Sequence, residues 1–166
     1  NGRYGAARLL LEKGADVDRA TAWGETPLYI ACENGHVDVA RLLLDKGAEV
    51  DRADENGWTE LYAACSNGHV DAARLLLDNG AEVDRARKGG ATPLFVACGE
   101  GHVDAARLLL DTGADVNQKT KYRTPLGIAK IRGHSSIVTL LEEHLDSKFP
   151  LHAAARTGDV DAMTQL

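Results

Sequence analysis

The chain has 166 residues, of which 44% are hydrophobic and 27% charged. That balance excludes a disordered segment and allows either one buried core or several small stacked units. No apolar run approaches the ~20 residues that cross a bilayer, and the first residues lack a basic-then-apolar signal pattern. A formal net charge of -6 argues against a sequence-independent grip on nucleic acid phosphates and favours, if anything, a basic partner.

In chain order, Asn1 to Lys13 (NGRYGAARLLLEK) reads as the second helix of a partial unit, 1–13. A pattern then repeats over 14–46, 47–79, 80–112 and 113–144, the last unit one residue short. Its first mark is TPLYIAC at Thr26–Cys32, with TELYAAC, TPLFVAC and TPLGIAK following at Thr59, Thr92 and Thr124. Pro27 and Pro93 lie 66 residues apart, twice 33, and Glu60 stands where the middle proline belongs. Gly-His pairs follow at Gly35-His36, Gly68-His69, Gly101-His102 and Gly133-His134, and glycine-alanine recurs from Gly14, Gly47, Gly80 and Gly113.

Each unit reads as two short helices. Thr26 suits an N-cap and Pro27 the first helical position, while Leu28, Ala31 and Cys32 give a small apolar face that Gly35 ends. A second helix from about Val37 to Lys46 places Val37, Ala40, Leu43 and Leu44 on one stripe, with Asp38, Arg41 and Asp45 opposite. Gly47 is the next C-cap, and Ala48 to Glu60 suits an extended loop with a tight turn at Gly57, anchored by Val50. So short a helix pair cannot bury its own stripe, which makes one solenoid of stacked copies the predicted architecture. Glu60 is expected to cost a little rigidity while still serving the positive helix end.

The rhythm then breaks. Pro125 to Pro150 is 25 residues, eight short of 33. Lys130 fills the slot of Cys32, Cys65 and Cys98, and Ser135-Ser136 replaces the Val-Asp start of the second helix. Residues 145–148 are read as a junction, with a further partial unit over 149–166 (FPLHAAARTGDVDAMTQL from Phe149). The rival reading is one continuous stack that has lost a finger.

A 33-residue unit with TPLYIAC, GHVDVARLLLDKGAEVD and a turn glycine resembles the ankyrin repeat, over nearly the whole chain. The resemblance implies an all-α solenoid of stacked antiparallel helix pairs with β-turn or hairpin fingers. It makes 113–144 a closing-type repeat and 149–166 an opening-type one. It also implies that the turn histidines tie adjacent loops together. Departures are local: Glu60 for proline, Tyr29, Tyr62 and Phe95 for the usual histidine, and Gly127 in the fourth copy. Leu109 and Asn117 in LLLDTGADVN resemble the family's context for asparagine hydroxylation. A chain of this pattern that starts and stops within a second helix is expected to be part of a longer protein, or a trimmed array, with uncapped ends open to head-to-tail self-association.

Residues that could suggest catalysis or metal binding have plainer roles. Cys32, Cys65 and Cys98 sit on stacked helices about 8–10 Å apart, too far for a disulfide's 4.4–6.8 Å Cα spacing. They read as buried thiols of an intracellular protein, in cytoplasm or nucleus. Each unit offers two metal ligands rather than four, and no nucleophile–histidine–acid set, phosphate loop or HExxH motif occurs, so no metal, no cofactor and no enzyme are expected. Arg8, Arg41, Arg74 and Arg107, interleaved with Asp38, Asp71 and Asp104, read as a solvated outer face.

What differs between copies is the informative part. At the turns these positions are Ala22, Trp23 and Glu25; Glu55, Asn56 and Trp58; Lys88, Gly89 and Ala91; Lys121, Tyr122 and Arg123. At the ends of the first helices they are Glu33-Asn34, Ser66-Asn67, Gly99-Glu100 and Ile131-Arg132. Trp, Tyr and Arg dominate binding hot spots, although tip aromatics also pack across neighbouring fingers. The resemblance places a partner on a concave surface of fingers and first helices. The expected contacts are Trp23, Glu25, Glu33, Asn56, Trp58, Asn67, Lys88, Ala91, Glu100, Tyr122, Arg123 and Arg132. The expectation is a non-enzymatic protein-binding module, with no nucleic acid or membrane partner; the alternative is a structural spacer within a larger multidomain protein.

Overall fold

The computed structural model describes residues 2–149. Nine α-helices occupy the described residues: α1 (Gly2–Glu12), α2 (Pro27–Glu33), α3 (Val37–Asp45), α4 (Glu60–Ser66), α5 (Val70–Asp78), α6 (Pro93–Glu100), α7 (Val103–Asp111), α8 (Pro125–Arg132) and α9 (Ser135–Lys148). No strand occurs among them.

The first helix of each pair starts where threonine dictates. Thr26, Thr59, Thr92 and Thr124 hold extended backbone, and their hydroxyls accept the N–H groups of Tyr29, Tyr62, Phe95 and Gly127 at 3.0–3.2 Å. Each satisfies a donor that the helix itself leaves unpaired. At the other end the Asn34 and Asn67 amides donate back to the Ile30 and Ala63 carbonyls. The chain then reverses through glycines at positive φ and enters the second helix.

Two layers result. α2, α4, α6 and α8 pack side by side in one, and α1, α3, α5, α7 and α9 in the other. Leu28, Leu61 and Leu94 from the first layer and Leu43, Leu76, Leu109 and Leu141 from the second share one continuous core with the three cysteines. Burying a leucine is worth about 1.5–3 kcal/mol, and nearly all of these side chains are closed off by a neighbouring unit. Leu42, Leu75 and Leu108, which the expected stripe omits, are also buried. The sandwich between flanking second helices covers a wider arc than an amphipathic surface helix would need.

Neighbouring units interlock in two further ways. A methyl group on Gly35, Gly68 or Gly101 would lie 2.6–2.9 Å from the ring of His69, His102 or His134 in the next unit. His102 and His134 also bond through Nε2 to the carbonyls of Ser66 and Gly99, at 3.0 and 2.9 Å. The second device is a carboxylate ladder. Asp18, Asp51 and Asp84 accept the backbone N–H groups of Glu49, Glu82 and Asp115, each one unit further along.

The closing end differs in detail. Lys130, in the cysteine slot, pairs with Glu142 of α9 at 2.9 Å. Leu145–Lys148, expected as a junction, form the last turn of α9, and Phe149 is its C-cap. Residues 150–166 lie outside the described residues, and with them all but Phe149 of the expected partial unit at 149–166.

The histidine interlock is open to test. Gly68 and Gly80 both have positive φ, but only Gly68 has a ring against it. Gly80→Ala is expected to lose about 1 kcal/mol in urea unfolding, and Gly68→Ala at least about twice that. Equal losses would show that the His102 ring moves aside freely.

Candidate interaction surface

The fingers are tight turns, closed by their own backbone. Thr21 N–H donates to the Glu25 carbonyl, Asp54 to Trp58, and Arg87 to Ala91, with Gly24, Gly57 and Gly90 completing the inner bonds. In the fourth finger Thr120 N–H reaches the Arg123 carbonyl at 2.9 Å. That loop is one residue shorter, and the residue lost from the fourth unit is the left-handed turn glycine. The tips lie against one another in a row. Gly24 abuts Asp54 and Glu55, Gly57 abuts Arg87 and Lys88, and Gly90 abuts Lys119 and Thr120. A side chain on Gly57 would come within 2.9 Å of the Lys88 backbone nitrogen, which itself donates to the Asn56 carbonyl at 3.0 Å.

The expected contact residues fall into three groups. Trp23 and Tyr122 are the most open large hydrophobic side chains among the described residues, 70% and 79% exposed. Lys88, Asn56, Arg123, Asn67, Glu100 and Arg132 are also exposed, and Glu25 and Glu33 are half-buried. Several of these already have internal partners. Thr21 Oγ1 donates to the Glu25 carboxylate, the Asn67 amide caps α4, and Arg132 lies 4.0 Å from Glu100.

Trp58 behaves otherwise. It is half-buried against the core, with its ring 5.1 Å from that of Tyr62. Arg87 from the next finger sits over both rings, at 5.7 and 5.9 Å, and its Nε donates to the Tyr62 hydroxyl at 3.1 Å. Trp58 thus joins two fingers while staying partly open to solvent. Ala91 requires a correction: it is only 3% exposed. Its carbonyl closes the third finger and its methyl joins the core, so it offers a partner no contact.

The titratable groups here follow burial. Desolvation pushes the Cys65 and Cys98 thiols up to about 12 and Cys32 higher still, which keeps all three protonated and poorly nucleophilic. Glu60 is the anomaly that sequence reasoning underestimated. In the proline slot it is fully buried, Oε1 accepts the Thr26 hydroxyl at 3.3 Å, and Oε2 has no partner among the described residues. Desolvation raises its carboxyl from 4.5 to about 7, against the opposing pull of the Asp51 and Glu60 N–H groups and the Thr26 hydroxyl. Nearby Asp51 is held at φ 65, a left-handed value that aspartate and asparagine adopt more readily than other side-chain-bearing residues. The glutamate in TELYAAC was visible. Its burial follows from α2 and α6 closing over α4 on both sides.

This arrangement of paired helices, capped turns and interlocked neighbours defines a helical repeat solenoid. The chain matches the family described as Ankyrin repeats (3 copies) over residues 1–54 and 47–120, and it belongs to that family. Ankyrin repeats are generally protein–protein interaction modules and typically non-enzymatic. Comparison with curated proteins gives no match. Among the described residues no helix is long and apolar enough to cross a membrane.

Glu60 yields a pH prediction with a definite sign. The folded state keeps the proton to about pH 7, whereas an unfolded chain releases it near 4.5. The folded form therefore binds more protons between those values, and stability falls as pH rises through that window. The accumulated loss is on the order of 3 kcal/mol at higher pH. Glu60→Gln should abolish this slope, and Glu60→Pro should in addition raise the melting temperature by roughly 2–4 °C per kcal/mol gained. Thermal melts of parent and variants from pH 5 to 8 check both; parallel curves would refute the assignment.

Proposed function

We propose that the chain is a recognition module without catalysis of its own, which holds a protein partner along a concave face made by the finger tips and the first helices. The observation that carries this reading is the contrast between frame and tips. Thr26, Thr59, Thr92 and Thr124 recur with the same cap geometry, while the tips differ in every copy and hold Trp23 and Tyr122 open to solvent. A pre-formed stack loses little conformational freedom on binding, so aromatic contacts are not offset by ordering. Buried, protonated thiols fit an intracellular setting, in cytoplasm or nucleus, where thiols stay reduced. No nucleic acid or membrane partner belongs to this reading.

The test compares capture by the parent with capture by Trp23→Ala/Tyr122→Ala. Proteins retained by the parent should drop at least about tenfold with the double variant, as expected for two hot-spot residues, with the melting temperature nearly unchanged. An outer-face control, Arg41→Ala/Arg74→Ala, should retain them. Equal retention by all three supports the alternative, a structural spacer. Trp58→Ala is a poorer probe, because losing its stack on Tyr62 and Arg87 also lowers stability.

Leu9 and Leu10 of α1 are 56% and 60% exposed, which supports head-to-tail contact between copies. Light scattering should then show a mass that rises with concentration and falls back in Leu9→Ser/Leu10→Ser; a constant monomer mass overturns this contact.

A further inference from the structure

The four tips carry charges of one sign at each end of the row. The sequences are ATAWGET at 20–26, ADENGWT at 53–59, ARKGGAT at 86–92 and KTKYRT at 119–124. The first two contain only acids, Glu25, Asp54 and Glu55, and the last two only bases, Arg87, Lys88, Lys119, Lys121 and Arg123. The finger bases do not share this polarity. Asp16, Asp18 and Arg19, then Glu49, Asp51 and Arg52, then Glu82, Asp84 and Arg85 repeat one mixed pattern in the first three units. The asymmetry is therefore confined to the surface that varies.

Contact between successive tips makes the basic end continuous. Gly57 places Arg87 and Lys88 against the second finger, and Gly90 places Lys119 beside the third. Arg87 is pre-positioned, held over Trp58 and Tyr62 and donating to the Lys88 carbonyl at 3.4 Å. Lys121 lies 5.2 Å over the ring of Tyr122, so the most exposed aromatic of the row sits within the positive field. The ion pairs of the described residues involve Arg8, Arg85, Lys130 and Arg132; none engages Lys88, Lys119, Lys121 or Arg123. A cluster of like charges left without internal counter-ions raises the energy of the free protein and is relieved by an anionic partner.

We propose that the third and fourth tips bind an acidic segment of the protein partner, laid across Lys88, Lys121 and Arg123 with an apolar or aromatic side chain against Tyr122. The acidic first and second tips repel the same segment, so the row also confines it to the basic end. The net charge of -6 points the opposite way, but at a Debye length of about 8–10 Å a partner senses the local tips rather than the whole chain. This inference rests on the recognition reading above and names the chemistry of its partner.

The test is selection of a random-peptide display library on the full chain, followed by anisotropy titration of the enriched peptides. Enriched peptides should carry net negative charge. Lys88→Glu/Lys121→Glu/Arg123→Glu, at exposed positions that leave the melting temperature unchanged, should weaken them roughly tenfold or more. Raising salt from roughly 0.05 to 0.5 M should also weaken them. Neutral or basic enriched peptides, or acidic ones indifferent to the triple reversal, overturn the assignment. If such peptides are still lost in Trp23→Ala/Tyr122→Ala, the recognition reading survives. No enrichment overturns the acidic segment and leaves that reading to its own capture test. Single-stranded or duplex DNA that binds as tightly as the best peptide overturns the protein partner in favour of nucleic acid. Self-association abolished by the triple reversal overturns it in favour of a second copy.

Discussion

The structure depends on one constraint: a helix of seven or eight residues followed by one of nine has more apolar surface than it can cover by folding on itself. α4 and α5 are closed only because α2 and α3 lie on one side and α6 and α7 on the other. Everything else serves that contact. The threonine caps fix where each first helix begins, the left-handed glycines fix where it ends, and the histidine rings and aspartate ladder hold neighbours at one spacing. With spacing set by the frame, the tips come into register as a row, and only Trp58 and Ala91 among the expected contacts reach back to the core.

Glu60 shows what the frame tolerates. For a carboxyl in the proline slot, desolvation outweighs the Thr26 hydroxyl and the Glu60 and Asp51 N–H groups that favour its charge, so it holds a proton where an exposed glutamate would not. Burial of an acid without a cation is costly, and the cost is carried by flanking units whose leucines and alanines pack undisturbed. Asp51, twisted to φ 65 in the same corner, is the second departure that this unit accommodates.

Much of this was legible in the sequence, because the same local chemistry recurs at a fixed interval. The 33-residue period, the Thr-Pro starts and the Gly-His reversals each had a physical meaning before any contact was known, and α2 and α3 begin where Pro27 and Val37 place them. The aspartate ladder was present at positions 18, 51 and 84 but went unread, since a carboxylate in a loop resembles ordinary solvation until its acceptor role across units is seen. The tips were legible only as variable. Whether a variable side chain points outward, like Trp23, or folds onto the next finger, like Trp58, depends on the neighbouring loop. For Trp58 that neighbour supplies Arg87, and for Ala91 the core itself. A one-dimensional pattern contains neither fact.

The aspartate rungs join each loop only to the one beside it, through a backbone N–H that every residue except proline possesses. A rung is therefore indifferent to which side chain follows it. Where no side chain reaches across, as Arg87 does onto Trp58, the outermost residues of one finger can be exchanged while the backbone of the others keeps its shape. Under the proposed recognition role, binding preference can then drift a finger at a time, with no refolding of the whole molecule in between.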